Sequence, residues 1–314
     1  MARPDTTLQI TLLTILSLSF IAGEIFGGTG SHSGVFMIEG ILCMVINAVL
    51  MLPLRRKYAS KEENVTMAPL LYVILMMTAQ DTMHCTPLLA ASILVTISIL
   101  SDTSFSENPE KMELFFFAIL TLDAAAIFWT PALWMAIPYL ISGIVRSEDK
   151  LKLAASAVIG ILAPVVIYLA IAYLNDNLNG GLAFISSAVT SKLLSLPAER
   201  SICFSMPTLL KYFVVAVAVT ISILRFFFKE KPNIRTLLAA RTQLIILFPA
   251  LIVICVAFYG SSAMPSTSML CPLTAMFLND YLEGSSSKEA RLYLALITVI
   301  LISERINTLN INLF

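Results

Sequence analysis

Sixteen of the chain's twenty Lys and Arg residues fall on alternate connections of a ladder of apolar segments, and four fall on the connections between. The apolar segments are the rungs that make this count meaningful. A bilayer core of about 30 Å takes roughly 20 helical residues, fewer where a helix is buried inside a bundle. Apolar runs between charge clusters predict eleven spans, at 8–26, 34–54, 67–79, 87–100, 112–130, 131–145, 151–174, 206–228, 242–260, 265–282 and 290–303. The third, fourth, sixth and last are short enough to be tilted, buried or re-entrant, which sets the range at nine to eleven. With the N-terminus inside, the inner connections collect Arg3, Arg55, Arg56, Lys57, Lys61, Lys111, Arg146, Lys150, Lys152, Arg225, Lys229, Lys231, Arg235, Arg241, Lys288 and Arg291. The outer ones hold only Lys192, Arg200, Lys211 and Arg305. Cytoplasmic loops carry this excess in inner-membrane proteins. The predicted fold class is therefore all-α, a polytopic transmembrane bundle of about eleven helices with a cytoplasmic N-terminus.

Composition agrees. Hydrophobic residues make up 58% of the 314 and charged residues 13%, against about 45–50% and 25% in soluble domains. Lipid is the expected solvent for so much apolar surface. The formal net charge is zero, which excludes a basic nucleic-acid surface as a partner. Connections this short leave no room for a separate soluble domain, so residues 1–314 are read as one integral-membrane domain. The first span follows Arg3 like a secretory signal, but Phe20 and Ile21 are bulky where a cleavage site needs small side chains; an uncleaved anchor is expected.

Cys43, Cys255 and Cys271 sit in apolar spans as small core residues. Cys85 and Cys203 share the outer side, where they are either two thiols or, in an oxidising compartment, a pair. No Cys or His spacing suggests a metal or haem site, and nothing specifies a cofactor.

The outer connections hold the chemistry-bearing residues. The run GGTGSHS at 27–33 lacks the Lys and Ser/Thr of a phosphate loop and reads as a tight turn. Around it stand Glu24, His32 and Glu39. The run QDTMHCT at 80–86 brings Asp81 within three residues of His84. A carboxylate and an imidazole at a membrane rim can act as acid and base, or can simply reach water. Inside the membrane, Asp123 interrupts LFFFAILTLDAAAIFW. Such a charge costs at least ~2.5–3.5 kcal/mol against lipid, so it is expected to face the bundle, within reach of a polar group or cavity. Asn47 is expected to join helices. Pro131 and Pro138 bracket the sixth span, and Pro164, Pro249 and Pro272 lie in later ones, where they would bend helix axes around a hollow. The long outer connection at 175–205 places Leu182, Ile185, Val189, Leu193 and Leu196 on one helical face, which predicts an amphipathic interfacial helix. The basic stretch from Arg225 to Arg241 is accounted for by orientation and contact with anionic lipid. No internal repeat is visible by eye, which weighs against an inverted-repeat transporter.

FFFAILTLDAAAIFWTPALWMAIPYLISGIV followed by AASAVIGILAPVVIYLAIAYL resembles a paired-helix block of an uncharacterised Bacteroidota family of polytopic inner-membrane proteins, through its hydrophobic pattern and Pro131, Gly160 and Pro164. With the later FYGSSAMPSTSMLCPLTAMFLNDYL, the block is similar to the GT-C integral-membrane glycosyltransferases. That resemblance implies a GT-C-like scaffold of the cell envelope and transfer of a polyprenyl-phosphate-linked sugar at the outer face. Glu24 or Asp81 would be the catalytic base, with His32 or His84 orienting phosphate. GT-C enzymes carry their acid in a long first outer loop, whereas the first outer connection here is only 27–33. Three functions stay open: this envelope enzyme, a transporter or flippase with Asp123 as a protonatable residue, and a non-catalytic assembly subunit.

Overall fold

A computed structural model describes residues 34–58, 67–77, 87–187, 190, 206–228, 235–258 and 266–311. Among the described residues every regular element is helical, so the all-α expectation holds. In chain order they are α1 (Gly34–Tyr58), α2 (Met67–Met77), α3 (Pro87–Glu107), α4 (Met112–Phe128), a first 3-10 turn (Thr130–Met135), α5 (Ala136–Arg146) and α6 (Lys150–Leu174). They continue as α7 (Leu178–Ser187), α8 (Met206–Phe228), α9 (Arg235–Ala257), a second 3-10 turn (Ser266–Met269), α10 (Cys271–Gly284) and α11 (Ser287–Ile311). Two of them, α3 and α6, are long and apolar enough to cross a membrane. The helices form two compact units, one holding α1, α2, α8, α10 and α11, the other α3 to α7, α9 and both 3-10 turns.

In the first unit, α10 packs against α1, α2 and α8, and α11 packs on α8. α1 buries Met44, Asn47, Ala48, Met51, Leu54 and Arg55, a stripe in steps of three and four. Its other side is no less apolar, with Leu42, Val45, Ile46 and Val49 exposed. Asn47 donates to the Tyr72 hydroxyl of α2 at 3.1 Å. Tyr293 of α11 stacks edge-on against Tyr281 of α10, with ring centroids 5.0 Å apart, and donates to the Val214 carbonyl of α8 at 3.4 Å.

In the second unit, α3 and α4 form a tight hairpin on which α9 and α6 pack. Phe105 and Phe115 meet across it at 5.2 Å. α6 turns Leu153, Ala157, Gly160 and Pro164 inward and leaves Val158, Ile159, Leu162, Val166, Ile167 and Ile171 more than half exposed. After α6 the chain reverses at Asp176, whose φ of 53° is left-handed, and the Asn177 amide closes the helix end on the Ala172 carbonyl at 2.9 Å.

Several boundaries differ from the sequence expectations. The fourth span was expected to end at Leu100, yet α3 runs on to Glu107. The polar run from Ser101 to Ser106 resembles a loop, but its hydroxyls bond back into their own helix. Thr103 and Ser104 donate to the Leu100 carbonyl at 2.9 and 2.6 Å, and Ser106 donates to the Asp102 carbonyl at 3.0 Å. The helix stops where Pro109 forbids helical geometry at Asn108. Pro138 and Pro272 fall in the first turns of α5 and α10. In the 175–205 connection the described helix, α7, begins at Leu178, and its buried contact is Gly181 instead of the apolar stripe. Leu182 is 49% exposed, and Phe184 packs on Tyr168 of α6 at 5.4 Å. Val189, Leu193 and Leu196 lie outside the described residues.

Candidate functional site

Among the described residues each unit holds a constellation of buried polar groups. In the first unit the last turn of α1 carries Arg55, with no exposed surface. Its guanidinium meets Asp280 at 3.3 Å and Glu283 at 3.0 Å, both from α10. The Asn279 amide oxygen, turned toward it, accepts from Nε and Nη2 at 2.8 Å. Ser222 of α8 donates to the second oxygen of Asp280 at 3.2 Å. Arg225, one turn on, donates to the Tyr281 carbonyl and the Ser285 hydroxyl, each at 3.2 Å, and its guanidinium lies 5.4 Å from the Tyr281 ring centre. Two cations and two carboxylates on three helices make a neutral set, the arrangement expected of a structural fastener. Arg55 and Arg225, counted from sequence among the inner cations, thus have named protein partners. Arg241, in α9 of the other unit, is likewise 2% exposed instead of lying in a surface loop.

The second constellation centres on one carboxylate that no cation is hydrogen-bonded to among the described residues. Asp102 of α3 is fully buried. Its Oδ2 accepts from the side-chain amide of Gln243 on α9, and that same amide nitrogen donates to Ser142 of α5 at 2.9 Å. Ser142 in turn donates to the Tyr139 carbonyl at 3.0 Å. One turn above Asp102, Ser98 donates to the Ala118 carbonyl of α4 at 2.7 Å, and its oxygen lies 3.1 Å from the Tyr139 hydroxyl. One turn below, Arg146 donates to the Ser106 hydroxyl, not to the carboxylate. Asp102 Oδ1 and Gln243 Oε1 have no hydrogen-bond partner among the described residues. Asp102 is thus a buried ionisable group with no cation hydrogen-bonded to its carboxylate among the described residues.

Arg146 also borders a cleft of about 400 Å³ lined by Pro109, Glu110, Met112, Glu148, Asp149 and Lys152, where the α3–α4 and α5–α6 connections meet. Asp149 caps α6, accepting from the Lys152 backbone amide at 3.1 Å and pairing with the Lys152 ammonium at 2.8 Å. These bonds to Lys152 hold the Asp149 carboxyl below its ordinary range. A depressed carboxylate contributes stability above its unfolded pKa and loses it as pH falls through the folded one. Asp149→Ala is thus expected to speed hydrogen exchange at the first amides of α6 at neutral pH. The difference from wild type should vanish in acid below the usual Asp range, near ~3.9. Equal exchange at neutral pH would show that the cap is idle.

The residues singled out from sequence fall unevenly. Glu24, His32, Asp81 and His84, with Cys85 and Cys203, lie outside the described residues. Glu39 is exposed on α1. Asp123 faces inward on α4 at 7% exposure, but no hydrogen bond to its carboxylate occurs among the described residues. Asp102 lies two residues beyond Leu100, where hydropathy ends its span, but within α3. The signal that would have found it is Asn108–Pro109, which marks the helix stop seven residues later than hydropathy does. No known protein family, curated protein or solved structure matches the chain.

Proposed function

We propose that the chain is a multi-pass inner-membrane protein that moves a solute or lipid across the bilayer, with Asp102 as its coupling residue. Support for the membrane setting comes from α1 and α6, which are apolar on the side turned away from the protein as well as the side turned toward it. A water-exposed helix would carry polar residues there. The observation that carries the transport reading is the Asp102–Gln243–Ser142 constellation, a buried ionisable group bonded to Gln243 of α9, which in turn bonds Ser142 of α5. It replaces Asp123 as the leading intramembrane carboxylate, because Asp102 has a polar partner, Gln243, on another helix. Handling of a lipid-linked glycan at the outer face would depend on Glu24, Asp81, His32 and His84, which lie outside the described residues.

The test is reconstitution of the full chain into proteoliposomes that report both internal pH and the sidedness of a fluorescent lipid. Wild type is expected to speed dissipation of a pH gradient or lipid exchange between leaflets, and Asp102→Asn to reduce that rate at least tenfold at equal incorporation. Wild-type liposomes no faster than protein-free ones in both assays would refute transport of either kind.

A further inference from the structure

The hydrogen-bond account around Asp102 does not close as long as its carboxyl is counted as ionised. The Gln243 amide nitrogen has two protons, and both are used, one on Asp102 Oδ2 and one on Ser142. What remains is a pair of buried acceptors, Asp102 Oδ1 and Gln243 Oε1, with no donor among the described residues. Buried acceptors are nearly always paired. One hydrogen atom would satisfy both.

We infer that Asp102 is a proton-binding site, in which the bound proton sits on Oδ1 and is donated to Gln243 Oε1. A primary amide offers a donor and an acceptor side by side, and a protonated carboxyl offers the complementary pair. The two close a ring of two hydrogen bonds, of which the structure supplies the first, from Nε2 to Oδ2. Burial favours this neutral form over a bare carboxylate. A metal cation fits less well, since it needs several oxygens with free lone pairs. Ser142 already accepts from Gln243 and donates to Tyr139, and no cluster of three or more His, Cys, Asp or Glu residues stands among the described ones.

The surrounding charges suit a site that loads and unloads. On α5, Arg146 and Tyr139 lie within electrostatic reach of Asp102. On α9, Arg241 precedes Gln243 by two residues, about 200° around the helix. α4 and the second 3-10 turn, also packed on α3, bring no charged group to bear on it among the described residues. Release breaks the Oδ1–H bond, passes the proton to water and leaves one negative charge facing the guanidinium of Arg146. The loaded site is neutral and the unloaded site is an ion pair in waiting. As the coupling ion of transport, the proton rests on the reading proposed above; the protonation itself does not.

Infrared spectroscopy of the full chain in lipid nanodiscs tests it. At neutral pH wild type is expected to show the carbonyl stretch of a protonated carboxylic acid, shifted by carbon-13 labelling of aspartate and unchanged by sodium chloride. Asp102→Asn should remove the band, and Gln243→Leu should move it to higher frequency by deleting the acceptor. The labelled wild-type measurement needs no substitution, so poor folding of a variant leaves the test intact. Absence of any label-sensitive acid band at neutral pH, or its loss on adding sodium, would overturn the inference. The band present without transport in liposomes removes the transporter reading alone. Sodium-dependent transport without the band removes the proton site alone.

Discussion

Arg55→Ala is expected to lower the unfolding free energy by about 3–5 kcal/mol, the cost of deleting one partner from a buried ion pair. Arg55 is wholly buried, and its planar fork serves Asp280, Glu283 and Asn279 from one end of α1. Removal strands two carboxylates that retain only 13% and 15% side-chain exposure. Lysine keeps the charge but has no fork, so Arg55→Lys should recover less than half of the loss. Neutralising the acids in the same background, with Asp280→Asn and Glu283→Gln, should recover more than lysine does. That order of recovery separates an electrostatic fastener from simple loss of packing. Equilibrium unfolding in detergent micelles is the measurement; a loss under about 1 kcal/mol, the range of exposed pairs, would mean the cluster is solvated.

The second large effect is expected at Gly160. A Cβ there would stand 2.9 Å from Ile119 Cγ2, 3.0 Å from Ile119 Cβ and 3.3 Å from the Phe116 carbonyl oxygen. Ile119 is branched and fully buried on α4, and a backbone carbonyl cannot swing aside. Alanine would gain about 0.5–1 kcal/mol from helix propensity, but overpacking of this kind costs about 1–3 kcal/mol. Gly160→Ala is therefore expected to destabilise, and Gly160→Ile to separate α6 from α4. Gly143 provides the internal control. Its added Cβ would meet the two Leu153 methyl carbons at 3.1 Å and the Phe115 ring at 3.2 Å, side-chain atoms that can give. Gly143→Ala should cost less. A Gly160→Ala protein as stable as wild type by thermal unfolding would show that α6 rides loosely on α4.

What the sequence determined by itself was the helices. Met206–Phe228 is a helix over the interval its apolar run specifies, and Met112 and Leu174 bound helices where charge and turn residues begin. Helix formation is a sum over neighbouring residues, so a local reading reaches it. It erred where two local signals disagreed. Hydropathy ended α3 at Leu100, whereas the backbone continues to Glu107 because serine and threonine can satisfy themselves inside a helix. That error hid Asp102. The partners of the buried polar residues were decided only by the tertiary structure. Asp280 lies 225 positions from Arg55, and Gln243 lies 141 from Asp102. Arg55 and Arg56 are neighbours that the positive-inside rule treats alike; packing buries the first and exposes the second. Burial and pairing depend on which helix faces come together, and no window of adjacent residues contains that information.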